Sequence, residues 1–289
     1  MRYRIVQYLQ PWEIDNFERQ VNQMIRCSYY LDTPKNIIWD VTLNLDIANW
    51  NTSKISKDFF IDKFKYLETI VGYHFTTAFD TDNTILGSGD KKRICAEKEQ
   101  DFTIWLDSDI IFPDMTLPYI VHATIQIPSD RYILTPELVR WWDTSWDVIV
   151  NEKFINEPHE FRMSYDSFKL EYDCKDNDIF IKQSPILKFG AGWFTCLSKK
   201  VTDEIKIPIE GGPYGVDDTY FMLCGSYIGI EQYTLSGIVI TEMSTMYLKN
   251  KDYIKPLLDI KSVDRPRISQ EKFMELIKQF YENHVLHTK

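Results

Sequence analysis

Long hydrophobic runs are missing from this chain. No stretch of its 289 residues approaches the ~18 consecutive apolar positions that a membrane-spanning helix needs. The apolar run at the N-terminus is too short for a secretory signal. Cysteine is sparse and scattered. The five are Cys27, Cys95, Cys174, Cys196 and Cys224, and no two are spaced as a metal knuckle or a Cys-x-x-Cys redox pair. An odd number of scattered thiols fits a reduced, cytoplasmic protein. Positive charge is also short: 33 Lys and Arg against 43 Asp and Glu leave a net charge of −10. That balance argues against non-specific attraction to nucleic acid or anionic lipid, but permits a local basic cleft for a diphosphate. There is no internal repeat, no low-complexity tract and no Pro/Gly/Ser-rich linker. We therefore expect a single domain over residues 1–289.

Aromatics, by contrast, are abundant at 15%. Most of these rings belong in a core, and a surplus also suits a cleft in which sugar C–H faces stack on rings. Ile5 to Leu9 reads as a first strand. From Glu13, the positions Ile14, Phe17, Val21, Met24 and Ile25 recur at helical spacing. Ile37 to Leu45 is rich in β-branched residues and reads as a second strand. Strand, helix, strand suggests a parallel βαβ unit.

A helix is expected over Phe59 to Val71, a strand over Tyr73 to Phe79 and a short helix over Lys91 to Glu99. Phe102 to Leu106 is wholly apolar, as in a central strand buried on both faces. Further on, Leu117 to Ile127 suggests a helix. Tyr132 to Thr135, Val148 to Asn151 and Leu187 to Phe194 suggest strands, and residues 156–184 an irregular acidic stretch. Ser269 is a good N-cap for a last helix carrying Phe273, Leu276, Ile277 and Phe280 on one face.

The chemistry concentrates where the apolar strand ends, at Asp107-Ser108-Asp109. In open α/β sheets, ligands bind beyond the carboxyl ends of strands. Side-chain alternation puts Asp107 and Asp109 on one side of the chain. Two acids so close repel unless a cation lies between them, and Mg²⁺ or Mn²⁺ takes such oxygen ligands together with phosphate oxygens. The three-residue pattern is common, and Asp80-Thr81-Asp82 matches it at the head of a polar loop. What distinguishes residues 107–109 is the buried strand before them.

The segment Phe102-Thr-Ile-Trp-Leu-Asp107-Ser-Asp109-Ile-Ile-Phe-Pro113 resembles the DxD strand of GT-A glycosyltransferases, especially the family 2-like inverting ones. Two later segments resemble that family in the expected order. Phe189-Gly190-Ala191-Gly192-Trp193-Phe194-Thr195 is similar to its small-residue strand under the acceptor. Gly215-Val216-Asp217-Asp218-Thr219-Tyr220-Phe221 is similar to the acidic helix start that carries its base. The likeness spans roughly residues 4–230.

It implies a GT-A fold, with a Rossmann-like, mostly parallel sheet flanked by helices. It also implies a nucleotide-sugar half near residues 1–109, an acceptor half near 110–250 and a C-terminal helical extension near 251–289. By the same resemblance, Asp107 and Asp109 would engage Mn²⁺ or Mg²⁺ and the diphosphate of a donor, most simply a UDP-sugar. Asp218 matches the base and Asp217 the acid before it. Gly192, Trp193 and Tyr214 match the acceptor side. Asp46, in Asn44-Leu45-Asp46-Ile47-Ala48-Asn49, stands where the family places its uracil-gripping acid. Lys91-Lys92-Arg93 replaces the family's usual Arg-Asn pair. Lys92 and Arg93 either contact the diphosphate or form a solvated helix start. A late metal-binding His is not matched, since His284 and His287 fall in the last helix. Trp193, like Trp141, Trp142 and Trp146, suits either a sugar platform or the core.

The implied reaction is inverting, metal-dependent sugar transfer to an acceptor hydroxyl, with a glycan, lipid, protein or DNA base as acceptor; the net charge disfavours DNA. Two other classes compete. A sugar nucleotidylyltransferase needs a Gly-rich basic loop after the first strand, and Gln10-Pro11-Trp12-Glu13 does not supply one. A non-catalytic binding module of the same fold would bind donor without hydrolysing it.

Overall fold

Strand β1 (Tyr3–Leu9) is buried along its whole length, and the rest of the fold is arranged around it. The computed structural model describes residues 1–9, 14–44, 58, 61–62, 65–66, 68–69, 73–80, 88–108, 110–139, 180–183, 194–211, 217–242 and 269–286. After β1 come α1 (Ile14–Ser28), β2 (Ile37–Asn44), β3 (His74–Asp80), α2 (Ser88–Ala96), β4 (Phe102–Leu106), β5 (Ile110–Ile111) and α3 (Thr116–Gln126). Then follow β6 (Tyr132–Val139), β7 (Phe180–Gln183), β8 (Phe194–Ser198), α4 (Lys199–Glu204), α5 (Asp217–Tyr227), β9 (Glu231–Glu242) and α6 (Gln270–Tyr281).

The strands form one sheet in the order β3-β2-β1-β4-β8-β6-β9-β5, with β7 also on β9. The N-terminal half is parallel, as the βαβ reading requires: β2 pairs with β3, and β1 with both β2 and β4. The expectation of a mostly parallel sheet fails beyond β4. There β8 runs antiparallel to β4 and to β6, β5 and β7 run antiparallel to β9, and only β6–β9 is parallel. The sheet is mixed because the strands after β4 do not follow the strand–helix–strand crossover that keeps neighbours parallel.

Several boundaries also move. The helix expected at Lys91 starts three residues earlier, at Ser88, and ends at Ala96. The strand expected to end at Phe194 is observed from Phe194 onward; residues 187–193 lie outside the described residues. The stretch expected to be irregular over 156–184 contains β7. Strand β6 runs past Pro136, with its register against β9 shifting between Pro136 and Glu137. A proline has no N–H for the ladder, so it sits at an irregularity. The described residues between 58 and 69 are helical, in keeping with the helix expected there. Val148–Asn151 is outside the described residues.

Alternation along the strands divides the core in two. On one face, Tyr3, Ile5 and Leu9 of β1 and Ile104 and Leu106 of β4 pack against Phe17, Val21 and Met24 of α1 and Leu117 and Ile120 of α3. On the other, Val6, Trp105, Ile133 and Leu197 pack against Phe221 and Cys224 of α5 and Leu276, Ile277 and Phe280 of α6. Each such buried side chain contributes about 1.5–3 kcal/mol relative to exposure. Helix α6 begins at Ser269, whose Oγ accepts the Lys272 N–H at 3.2 Å, as its sequence predicts. Cys27, Cys95, Cys196 and Cys224 are free and buried; Cys174 lies outside the described residues. Among the described residues, no helix is long and apolar enough to cross a membrane.

Candidate active site

The site forms where β4 ends and the sheet changes from parallel to antiparallel. Thr103 and Trp105 are buried, and Trp105 packs on the α5/α6 side. Side-chain alternation then brings Asp107, the next residue of that phase, out on the same side. Asp107 is half-buried. A polar relay from the opposite face holds the turn that carries it. Trp39 Nε1 donates to Gln7 Oε1 at 3.0 Å, and Gln7 Nε2 donates to Gln20 Oε1. Gln20 Nε2 in turn donates to the carbonyl oxygens of Asp107, at 2.6 Å, and Ile110, at 3.0 Å. Gln23, one helical turn on, donates to the Phe112 carbonyl at 2.7 Å. These buried amides hold backbone carbonyls of the turn that follows β4. Sequence reasoning missed them. Glutamines in an otherwise apolar helical stripe were the available signal.

Lys92 of α2 lies at the centre of the site. Its ammonium is buried, bonds Asp217 Oδ2 at 2.7 Å and stands 4.8 Å from the centroid of the Trp105 ring. Burial pulls its pKa down. Asp217, then Asp107 and Asp218, push it up by more, so the net shift is upward and Lys92 stays charged. The structure thus groups Lys92, Asp107, Asp217 and Asp218, drawn from three elements. Asp217 is buried in the first turn of α5. Asp218 is half-buried beside it, and its Oδ1 accepts the Thr219 N–H at 2.6 Å. Acids are favoured at a helix N-terminus by its unpaired N–H groups.

Arg93 is set differently. It pairs with Asp90 at 2.7 Å and lines a cavity of about 320 Å³ with Trp105, Ile207, Pro208, Glu210 and Phe221. Trp105 Nε1 is buried without a hydrogen-bond partner among the described residues, and its ring packs edge-on against Phe221, centroids 5.1 Å apart.

A second cluster anchors α2. Asp40 of β2, buried, pairs with Arg4 at 2.7 Å, with Lys98 at 2.8 Å and with Lys91. The Cys95 thiol also reaches it, at 3.5 Å. Burial alone would raise the Asp40 carboxyl; Lys91, then Lys98, outweigh it and hold it at about 2. Lys91 therefore faces the sheet while Lys92, the next residue, faces α5.

Asp109, Asp46, Gly192, Trp193 and Tyr214 lie outside the described residues, as do Trp141, Trp142, Trp146 and His287. Phe194, which follows Trp193, pairs with Leu106, which precedes Asp107. His284 stacks on Phe280 with centroids 4.1 Å apart, a packing contact. Among the described residues, no group of three His, Cys, Asp or Glu side chains is arranged to hold a metal ion. Asp107 offers carboxylate oxygens of the kind a hard divalent cation takes, and Asp109, its partner in the sequence motif, lies outside the described residues.

No family model matches the chain, and no curated protein matches it. Solved structures do. The crystal structure of S. aureus TarS residues 1–349 is similar over 98% of this chain and 71% of that one, at 13% identity and a TM-score of 0.50. The same fragment in complex with UDP-GlcNAc is similar over 98% and 72%, with the same identity and TM-score. Against the longer TarS structure, 84% of this chain matches at 13% identity and a TM-score of 0.50, but it covers only 36% of that chain. At this identity the likeness shows the fold alone, the one that the TarS fragment shares.

Proposed function

We propose that this chain is a GT-A glycosyltransferase of the family 2-like, inverting type, which moves a sugar from a nucleotide-sugar, most simply a UDP-sugar, to an acceptor hydroxyl. The observation that carries this reading is the buried Lys92–Asp217 pair set over Trp105, two residues before Asp107 at the carboxyl end of β4, with Asp218 next to Asp217. A sugar nucleotide needs such a place: acids for a metal, a cation for phosphate charge and a carboxylate for the incoming hydroxyl. The TarS fragment that shares the fold was crystallised with UDP-GlcNAc, which supports a nucleotide-sugar donor.

In this reading residues 1–289 form one domain, with the donor on the parallel half and the acceptor on the antiparallel half. Asp107 and Asp109 would hold Mn²⁺ or Mg²⁺, which when bound neutralises the departing diphosphate. Lys92 and Arg93 add positive charge on the flank of the diphosphate, and Asp46 binds the uracil. Gly192, Trp193 and Tyr214 line the acceptor side. Asp218 takes the proton from the attacking hydroxyl, a contribution worth roughly 10²–10⁴ in rate. Attack opposite the leaving diphosphate inverts the anomeric centre.

A thermal-shift screen of nucleotide-sugars with and without Mn²⁺, followed by assay of UDP release, tests this. Saturating donor should stabilise the fold by a few kcal/mol at about 100 times Kd. A screen in which no nucleotide or nucleotide-sugar shifts the melting point would overturn the reading. Binding without hydrolysis or transfer would favour a binding module.

A further inference from the structure

The Lys92–Asp217 pair joins residues 125 positions apart in the chain, and both partners are buried. Asp217 and Asp218 are consecutive on α5, and Asp107 acts on the same ammonium. Two consecutive acids at one helix start are equivalent candidates for a base until something distinguishes them. Lys92 breaks the symmetry: its direct hydrogen bond is to Asp217. Its own place is fixed from two sides, by the Trp105 ring beneath it and by the anchoring of α2 through Lys91 and Lys98 to Asp40.

We propose that Lys92 is a positioning residue: by binding Asp217 it holds that carboxylate out of the reaction and leaves proton transfer to Asp218. The proposal rests on the transferase reading above and goes beyond it, since there Lys92 only adds charge near the diphosphate. It makes an unusual demand. Removing Asp217's charge should relieve the loss of Lys92, because a neutral side chain no longer needs to be held.

The experiment compares wild type, K92R, K92M and K92M/D217N by steady-state UDP release and by thermal unfolding. K92M is expected to lose about 10²-fold in kcat while its donor KM stays within about threefold. K92R, which keeps the cation, should recover most of the rate. D217N introduced into K92M should raise both kcat and Tm above those of K92M. A double variant no faster than K92M overturns the proposal. So does a K92M variant that raises donor KM with kcat intact, for that is a diphosphate ligand. If wild type turns over no nucleotide-sugar, the transferase reading falls. The hold on Asp217 is then judged by unfolding alone, and a double variant that melts no higher than K92M overturns it. Should K92M fail to fold, a folded double variant supports the pairing, and failure of both overturns it.

Discussion

Gln20 Nε2 donates to two backbone carbonyl oxygens at once, those of Asp107 and Ile110, across 87 and 90 residues of chain. A side chain from the first helix thus sets the shape of the turn that carries the candidate metal ligand. Gln20→Leu keeps the size and removes the donor. Each abandoned buried carbonyl costs about 1–3 kcal/mol. Urea unfolding should show the loss, and Mn²⁺-dependent UDP binding should weaken with it. Unchanged stability would mean that water replaces the amide.

Asp107→Ala should fold and lose metal-dependent nucleotide binding, because it removes a half-buried carboxylate beyond the end of β4 while leaving the strand's core contacts in place. Calorimetric titration of UDP with and without Mn²⁺ reads this directly. Equal UDP affinity to wild type in Mn²⁺ would take Asp107 out of the site.

Asp218→Asn should melt close to wild type and lose transfer by roughly 10²–10⁴. An amide keeps an oxygen to accept the Thr219 N–H but takes up no proton at neutral pH. Full turnover in this variant would remove Asp218 from the mechanism.

Asp40 predicts an acid-sensitive fold. Its folded pKa is lowered to about 2, against about 3.9 in an unfolded chain. The stabilisation is complete above the unfolded value and is lost as pH falls from about 4 through about 2, an effect of order 2 kcal/mol. At pH 7, Asp40→Asn leaves Arg4, Lys91 and Lys98 without their acid and should cost about 3–5 kcal/mol. Its stability should in turn depend less on pH below 4. Urea unfolding of both proteins from pH 7 down to pH 2 checks the magnitude and the sign.

Thiol chemistry gives an independent check on burial. Desolvation holds Cys95 up at about 11 and Cys224 at about 12, and raises Cys27 and Cys196 well above the ordinary range. Thiolate is the reactive form. A thiol reagent at pH 8 should therefore label at most Cys174 in the folded protein and all five on unfolding. Prompt native labelling of two or more thiols would contradict the packing.

The N-terminal half was legible because each element there follows one rule. β1 and β4 are nearly unbroken apolar runs, and α1 keeps helical spacing from Ile14 to Met24. Strand β9, the longest, left no such trace. Glu231, Gln232, Thr234, Ser236 and Gly237 break any alternation, and the strand exists through its pairings with β6, β7 and β5. Pro136 cut the reading of β6 short for the same reason, since its tolerance depends on a register shift supplied by β9. At the site, Asp107, Asp217, Asp218 and Lys92 were all named from their local contexts, Lys92 as a cation for the diphosphate. The pairing of Lys92 with Asp217 was not legible, because the spacing that joins them is a property of the fold. Asp40 looked like one polar break in a β-branched strand. Its three cations come from residues 4, 91 and 98 and are near it only after folding.

The two ion clusters share one short helix. Lys91 and Cys95 reach Asp40 on one side of α2, and Lys92 reaches Asp217 on another. One residue along a helix is about 100° around it. A single insertion between Lys91 and Lys92 would thus turn the two lysines about 100° further apart, so that the anchor to β2 and the link to α5 could not both be kept. Helix α2 should tolerate conservative substitution at Arg93 yet tolerate no change in its length.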